Sequence, residues 1–300
     1  MGYVKTVLGN VPESELEITL AHEHICCYSE YLYAMAGKAY LDEEQLISTS
    51  VKYLKELKSA YGLKTFVDCT PVNLGRNVEW LKQISEQSEV HIICSTGFYH
   101  TEEVLMRDLD IDTIADYMVL DAVRAGLIKC AVEDEQIGCF HEKLLRASAG
   151  AQRRLKIPMA VHTNANNQNG RKALEILLQE GVDPKAITIG HLSDTDDMAY
   201  IKQIAELGCF IGFDRLYGDC SKDYISKTVS KIVELCDCGY GDQILLSHDA
   251  LFFNGFDAVP QVNERPRFSY CFDHILPALP TDLFKQIMEK NPVRMLKCGE

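Results

Sequence analysis

The sequence lacks long apolar runs and lacks an excess of positive charge. No apolar run approaches the about 18 residues that a membrane span needs, and no charged-then-apolar leader opens the chain, so we expect neither a span nor a secretion signal. The 30 Lys and Arg residues face 44 Asp and Glu, giving a formal net charge of −14. This sign disfavours nucleic acids and anionic membranes as partners, and it favours small molecules.

Proline is also scarce, with nine residues in 300, and no Pro/Gly/Ser-rich linker or change of composition divides the chain. With 47% apolar and 25% charged residues, the chain can bury a sizeable core and has no signature of disorder. The length fits two small domains or one barrel of about 250 residues. Without a linker, we expect residues 1–300 to form one domain.

A second cysteine pair at zinc-ribbon spacing is absent, although the chain has twelve cysteines. Only Cys26–Cys27 and Cys236–Cys238 are closely spaced, so the pattern does not predict a thiolate zinc site. Several cysteines lie in apolar, strand-like runs. This distribution predicts buried, reduced thiols in a cytoplasmic protein.

Short apolar or β-branched runs alternate with longer amphipathic stretches along the whole chain. The eight predicted strands cover residues 17–21, 65–69, 90–95, 127–131, 159–162, 187–190, 209–213 and 243–247. Segments with helical periodicity, such as 42–61 and 141–155, separate them, and this strict alternation predicts an α/β fold, the (β/α)8 TIM barrel. Residues 1–16 suggest a short β-hairpin that plugs or flanks the barrel bottom. The long, aromatic-rich segment 250–269 after the eighth strand is expected to form a lid or substrate wall.

The stretch TLAHEHICC places two histidines one residue apart next to the first strand. Residues i and i+2 of a strand point to the same side, so His22 and His24 would enter the barrel while Glu23 faces the helices. Buried imidazoles need partners for their nitrogens, and a divalent metal is one such partner. Taken alone, the pair is equally compatible with two structural histidines.

Further residues of metal-ligand type follow other strands. His162, His191 and Asp249 each stand at the C-terminal end of a different strand, which is where barrel enzymes assemble their sites. Lys129 lies inside the apolar run LIKCA, where a neutral amine could take up carbon dioxide and become an anionic, carbamate-type bridging ligand. A lysine that extends to solvent from the strand end is the alternative.

The motifs TLAHEH, LIK, AVHT, IGHLSDTDD and LLSHD, in this order over almost the whole chain, resemble the phosphotriesterase family of the amidohydrolase superfamily. The resemblance implies two divalent metals, a more buried one at His22, His24 and Asp249, a more exposed one at His162 and His191, and a bridging N6-carboxylated Lys129. Some relatives use a glutamate bridge; here Glu133 lies beyond the strand end, and its use would need a register shift. Zinc is the preferred metal, with manganese, cobalt and iron as alternatives.

The resemblance implies a hydrolase in which metal-bridged hydroxide attacks a carbonyl or phosphoryl group while Asp249 accepts the proton. Tyr99 and Arg215, just past the third and seventh strands, are similar to pocket residues of the lactonase branch, although Leu216 here precedes Tyr217. Core packing of Tyr99 and an ion pair of Arg215 with Asp214 or a neighbouring loop are the alternatives. Barrels of this kind often dimerise, so a homodimer also stays open.

The expected reaction is hydrolysis of a lactone or carboxylic ester. Phosphotriester hydrolysis, amide hydrolysis and a non-catalytic, metal-binding barrel are the alternatives. An aromatic lid would favour an acyl tail. Four basic residues near the last two strands could instead bind a phosphorylated sugar lactone: Arg215, Lys222, Arg265 and Arg267.

Overall fold

The computed structural model describes residues 2–216 and 220–297. Tyr217, which the sequence places near the pocket, lies outside these residues. The strands are β1 (Tyr3–Thr6), β2 (Gly9–Pro12), β3 (Thr19–Cys27), β4 (Thr65–Asp68), β5 (His91–Gly97), β6 (Ala125–Ala131), β7 (Met159–His162), β8 (Ile187–Ile189), β9 (Phe210–Phe213), β10 (Ile244–Leu246) and β11 (Leu251–Asn254). The α-helices are α1 (Glu30–Ala36), α2 (Glu43–Tyr61), α3 (Val78–Ser88), α4 (Ile111–Asp121), α5 (Cys139–Leu155), α6 (Asn169–Gln179), α7 (Met198–Glu206), α8 (Lys222–Asp237), α9 (Thr281–Lys285) and α10 (Asn291–Leu296).

Strands β3 to β10 are parallel neighbours in chain order, and β11 extends the sheet beyond β3. Because β11 follows β10 closely in the chain and pairs with β3, the two edges of the sheet meet. The Asp249 amide donates to the His22 carbonyl at 3.1 Å, and the His24 amide donates to the Ala250 carbonyl at 2.9 Å. The predicted α/β barrel, with its short antiparallel N-terminal hairpin, is confirmed.

The buried carboxylate of Glu23 strengthens this junction from outside the barrel lumen. It accepts hydrogen bonds from the His248 amide at 2.9 Å, from His248 Nδ1 at 2.6 Å and from the Ala250 amide at 3.1 Å. His248 Nε2 in turn accepts from the Cys271 amide at 3.1 Å. Glu23 therefore faces away from its histidine neighbours, as the strand alternation predicts.

Apolar side chains fill the lower part of the barrel. Val4 and Leu16, from the N-terminal hairpin region, pack with Ala21, Leu127 and Phe210 of the strands in one buried cluster. The hairpin thus closes the barrel bottom, as expected. A packed lower lumen leaves the C-terminal ends of the strands as the place where polar side chains can gather.

Two sequence expectations need correction. Strand β3 does not end at residue 21 but continues to Cys27, so both histidines lie within it. In the segment 250–269, the rings of Phe252, Phe253 and Phe268 are buried in the core beside α2 rather than forming a lid, because β11 presses this segment between β3 and the helix layer. Phe256 alone of these phenylalanines is exposed and borders the barrel mouth.

Two expectations about partners and thiols can be compared with the described residues. The cysteines among them are free of disulfides, and those in the strands are buried. Within residues 2–216 and 220–297, no helix combines the length and the apolarity that crossing a bilayer requires.

Candidate metal centre

Six side chains predicted as metal ligands meet at the C-terminal ends of the strands. They are His22, His24, Lys129, His162, His191 and Asp249. His24 Nε2 lies 3.0 Å from Asp249 Oδ1, and His22 Nε2 lies 3.6 Å from the same oxygen. His22 Nε2 also lies 2.7 Å from Lys129 Nζ. His191 Nε2 and His162 Nδ1 are 2.8 Å apart. Donor atoms from five different strands or strand ends therefore face one small volume.

Two of these residues adopt a backbone conformation that side chains other than glycine rarely take. His191 has φ = 66° and Asp249 has φ = 51°, both in the left-handed region. Such conformations cost of order 1–3 kcal/mol and persist where the surroundings hold them. The His191 amide donates to Asp214 Oδ1 at 2.7 Å, and the Asp249 amide donates to the His22 carbonyl at 3.1 Å. The strained turns direct both side chains inward.

Each of the four imidazoles uses its other nitrogen in a hydrogen bond outside the donor cluster. Asp214 contacts two of them, with Oδ2 2.5 Å from His22 Nδ1 and Oδ1 2.9 Å from His191 Nδ1. The remaining two pairs are Thr70 Oγ1 with His24 Nδ1 at 2.9 Å and Glu133 Oε2 with His162 Nε2 at 2.9 Å. A carboxylate or hydroxyl behind an imidazole fixes the ring and its tautomer, so the inward nitrogen keeps its lone pair for a metal.

Sequence reasoning missed these outer partners. As the alternative for Arg215 it named an ion pair with Asp214 or a neighbouring loop; the observed ion pairs are with Asp194 and Asp249, which lie on neighbouring loops, and not with Asp214. It weighed Glu133 as a bridging ligand, but the carboxylate contacts the outward nitrogen of His162. The available signal was position, because Asp214 directly follows β9 and His191 stands two residues after the end of β8.

Lys129 is 2% exposed and points its amine into the donor cluster. Among the residues that the structure describes, no carboxylate lies within ion-pair distance of Lys129 Nζ. A buried ammonium without a counter-ion is costly, whereas a neutral amine or an anionic carbamate beside cations is not. The site therefore fits a carboxylated lysine and two cations better than it fits a charged lysine.

The electrostatics of the cluster also suit metal binding. Burial lowers the pKa of His22 to about 4, and burial and His191 lower the pKa of His162 to about 3. These two rings are therefore neutral at pH 7. Despite burial, Cys27 and Asp249 raise the pKa of His24 to about 10, so a cation there would replace a proton. Neighbouring histidines hold the pKa of the buried Asp249 well below its usual range.

A second group of ligand atoms also lies close together, on His22, His191 and Asp214. We favour the orienting role for this carboxylate, because three N–H groups already converge on its two oxygens. The inward nitrogens of His22 and His24 then remain directed at Lys129 and Asp249, and those of His162 and His191 at each other.

A cavity of about 210 Å³ opens above the donor cluster. Tyr99 and Arg215 both line it, as the sequence predicts. The Tyr99 ring stands 5.0 Å from the His162 ring, and its hydroxyl has no hydrogen-bond partner within the described part of the chain. Arg215 donates from Nε to Asp249 and from a terminal nitrogen to Asp194, both at 2.9 Å. Tyr99 is thus free to contact a ligand, whereas Arg215 is already engaged.

Comparison with known proteins agrees with this geometry. Residues 2–296 match the phosphotriesterase family. The chain is 34% identical to the aryldialkylphosphatase of Saccharolobus solfataricus over 80% of this chain and 79% of that protein. It is 29% identical to the phosphotriesterase homology protein of Mycobacterium tuberculosis over 93% and 91%, and to the N-acetyltaurine hydrolase of Homo sapiens over 83% and 84%. The chain is a hydrolase-type barrel whose histidine and aspartate groups can bind metal, and it belongs to the phosphotriesterase family.

Proposed function

We propose that the protein is a binuclear metal-dependent hydrolase that acts on a lactone or a carboxylic ester. One observation carries the proposal: four imidazoles, each fixed from behind, bring their inner nitrogens together with Lys129 and Asp249 beneath a ligand-sized cavity. Two divalent cations, most simply zinc, would supply an acidified water and an electrophile for the carbonyl oxygen. One cation would be held by His22, His24 and Asp249, and the other by His162 and His191. A carboxylated Lys129 would bind both cations.

The chain's own residues then orient the substrate and move the proton. Asp249 keeps Oδ1 toward His24, while its Oδ2 accepts from Arg215 at 2.9 Å. This hydrogen bond fixes the carboxylate, which can accept a proton from the attacking water and release it to the leaving group. The Tyr99 hydroxyl, free of protein partners among the described residues, can donate to a substrate oxygen in the cavity.

The cavity wall supports an uncharged substrate. Its apolar members are Cys27, Pro71, Leu74, Leu251 and Phe256. The cations that line it among the described residues are Lys129, committed to the donor cluster, and Arg215, which two carboxylates neutralise. A phosphorylated sugar lactone would leave its phosphate without a free cation there, since Arg265 instead pairs with Glu56 at 3.5 Å. A neutral carbonyl compound with an apolar substituent matches this lining.

Two relatives provide specific alternatives. One similar protein is named aryldialkylphosphatase, which makes a neutral phosphotriester a second candidate substrate. Another is named N-acetyltaurine hydrolase, which makes an N-acyl amide a third. Since an N-acyltaurine carries a sulfonate, the scarcity of free cations in the cavity disfavours that particular amide for this chain.

A substrate panel tests the proposal. The zinc-loaded protein should hydrolyse apolar lactones and esters with a higher kcat/KM than aryl phosphotriesters, N-acyltaurines or phosphorylated lactones. Asp249→Asn should lower kcat by at least about 100-fold, in the range seen when a positioned acid or base is lost, while most of the bound metal remains. A higher kcat/KM for the phosphotriester would reverse the order of the candidates. If none of these substrate classes were turned over in a metal-dependent way, the remaining interpretation would be a non-catalytic barrel.

A further inference from the structure

We propose that Asp214 is a positioning residue shared by both metal sites, which makes the binding of the two cations cooperative. The inference rests on the proposed binuclear site. Asp214 is 1% exposed, and each of its oxygens contacts an imidazole assigned to a different cation. Oδ2 lies 2.5 Å from His22 Nδ1, and Oδ1 lies 2.9 Å from His191 Nδ1 and accepts from the His191 amide at 2.7 Å.

The surrounding strands leave room for this carboxylate. A Cβ atom added to Gly212 would stand 2.7 Å from Asp214 Oδ2, and one added to Gly190 would stand 3.1 Å from the same oxygen. Neither glycine is among those with a positive φ, so backbone conformation does not require them. Their lack of a side chain lets the Asp214 carboxylate lie behind both imidazoles at once.

The shared contact couples the two sites through ordering. A cation on His22 Nε2 requires the Nδ1–H tautomer and strengthens the hydrogen bond to Oδ2, which fixes the carboxylate plane. Oδ1 is then already aligned for His191, so the second cation meets an imidazole whose orientation has largely been fixed. Because the first cation has already ordered the carboxylate, the second cation binds without that entropy cost. The result is positive cooperativity.

The other outer partners provide contrasting cases. Thr70 Oγ1 contacts His24 alone among the four imidazoles, and Glu133 Oε2 contacts His162 alone. Each of them supports one site. Removing either partner should therefore weaken one cation, whereas removing Asp214 should weaken both.

Zinc titration of the metal-free protein tests this difference. Calorimetry and native mass spectrometry should be run on the wild type, Asp214→Ser, Thr70→Val and Glu133→Ala. Loss of an outer partner typically lowers metal affinity about 10–100-fold. We expect Asp214→Ser to show that loss at both sites and to accumulate the one-zinc form at half saturation. Thr70→Val and Glu133→Ala should each show it at one site only, with the other site keeping its intrinsic wild-type affinity.

Retention of the cooperative titration in Asp214→Ser, or a loss confined to one site, would overturn the inference. If Asp214→Ser does not fold by circular dichroism, the wild type still decides the question, because a dominant one-zinc species at half saturation contradicts coupling. Turnover is not the readout, so the two proposals can fail separately. Coupled zinc binding without hydrolysis would reject only the proposed function, and hydrolysis with independent zinc sites would reject only the coupling.

Discussion

Replacing Lys129 by methionine separates metal bridging from packing, because methionine fills a similar volume but cannot form a carbamate. In the metal-free protein the change removes a buried amine, whose desolvation costs about 1–3 kcal/mol. It also removes the 2.7 Å hydrogen bond to His22, which contributes about 1 kcal/mol. These effects oppose each other. The free energy of unfolding of metal-free Lys129→Met should therefore lie within about 2 kcal/mol of the wild type.

Zinc should then distinguish the two proteins. A ligand present at about a thousandfold above its Kd stabilises the folded state by about 4 kcal/mol per site. For a chain of this size, that corresponds to a rise in Tm of roughly 6–7 °C per site. The wild type should show this rise at both sites, whereas Lys129→Met, which lacks the shared bridge, should show little of it. Differential scanning calorimetry with and without zinc measures the contrast.

Lys129→Ala provides the matched control. It deletes the same amine but leaves a space beside His22 that a short carboxylate such as acetate or propionate can enter. Added carboxylate should restore part of the zinc-induced rise in Tm and part of the activity in Lys129→Ala, and neither in Lys129→Met. An equal zinc-induced rise in the wild type and in Lys129→Met would refute the carbamate bridge.

Three further results are expected. The pKa of His22 is near 6.5 in the unfolded chain and about 4 in the folded chain. As pH falls through that window, His22 should therefore lower the free energy of unfolding of the metal-free protein by about 3 kcal/mol. Denaturant unfolding of His22→Asn should show a shallower pH dependence. Tyr99→Phe should lower kcat about tenfold with unchanged zinc content, since its hydroxyl has no described protein partner; unchanged kinetics would assign Tyr99 to packing. Glu23→Ala should lower the free energy of unfolding, measured by urea denaturation, by about 3–5 kcal/mol because it leaves the amides of His248 and Ala250 without an acceptor. Glu23→Gln should lower the free energy of unfolding by less in the same assay.

The barrel could be predicted from the sequence because alternating apolar runs and amphipathic segments leave few other topologies. The eight strands therefore fell close to their observed positions. Boundaries were harder near the site, where β3 continues through His22 and His24 to Cys27. Polar residues normally end a predicted strand, but here a donor cluster satisfies them and the strand continues.

The aromatic segment after the eighth strand shows a different limit. Phenylalanines after the last strand of a barrel can cover the mouth or pack under the helices, and composition does not distinguish these places. Pairing of β11 with β3 decided the outcome, because it put Phe252 and Phe253 against the helix layer and left Phe256 at the cavity. That pairing depends on contacts more than 200 positions apart in the sequence.

The candidate ligands could be proposed from residue type and strand-end position, but the same rule does not distinguish a ligand from its outer partner. Asp214 and Asp249 both follow a late strand. Asp214 comes directly after β9, so its carboxylate lies level with the backs of the imidazoles. Asp249 stands farther beyond β10, on a left-handed turn that brings its carboxylate over their inner nitrogens. Depth along the barrel axis is what separates the two proposed roles, and depth depends on strand register and turn conformation, which a list of residue types does not contain.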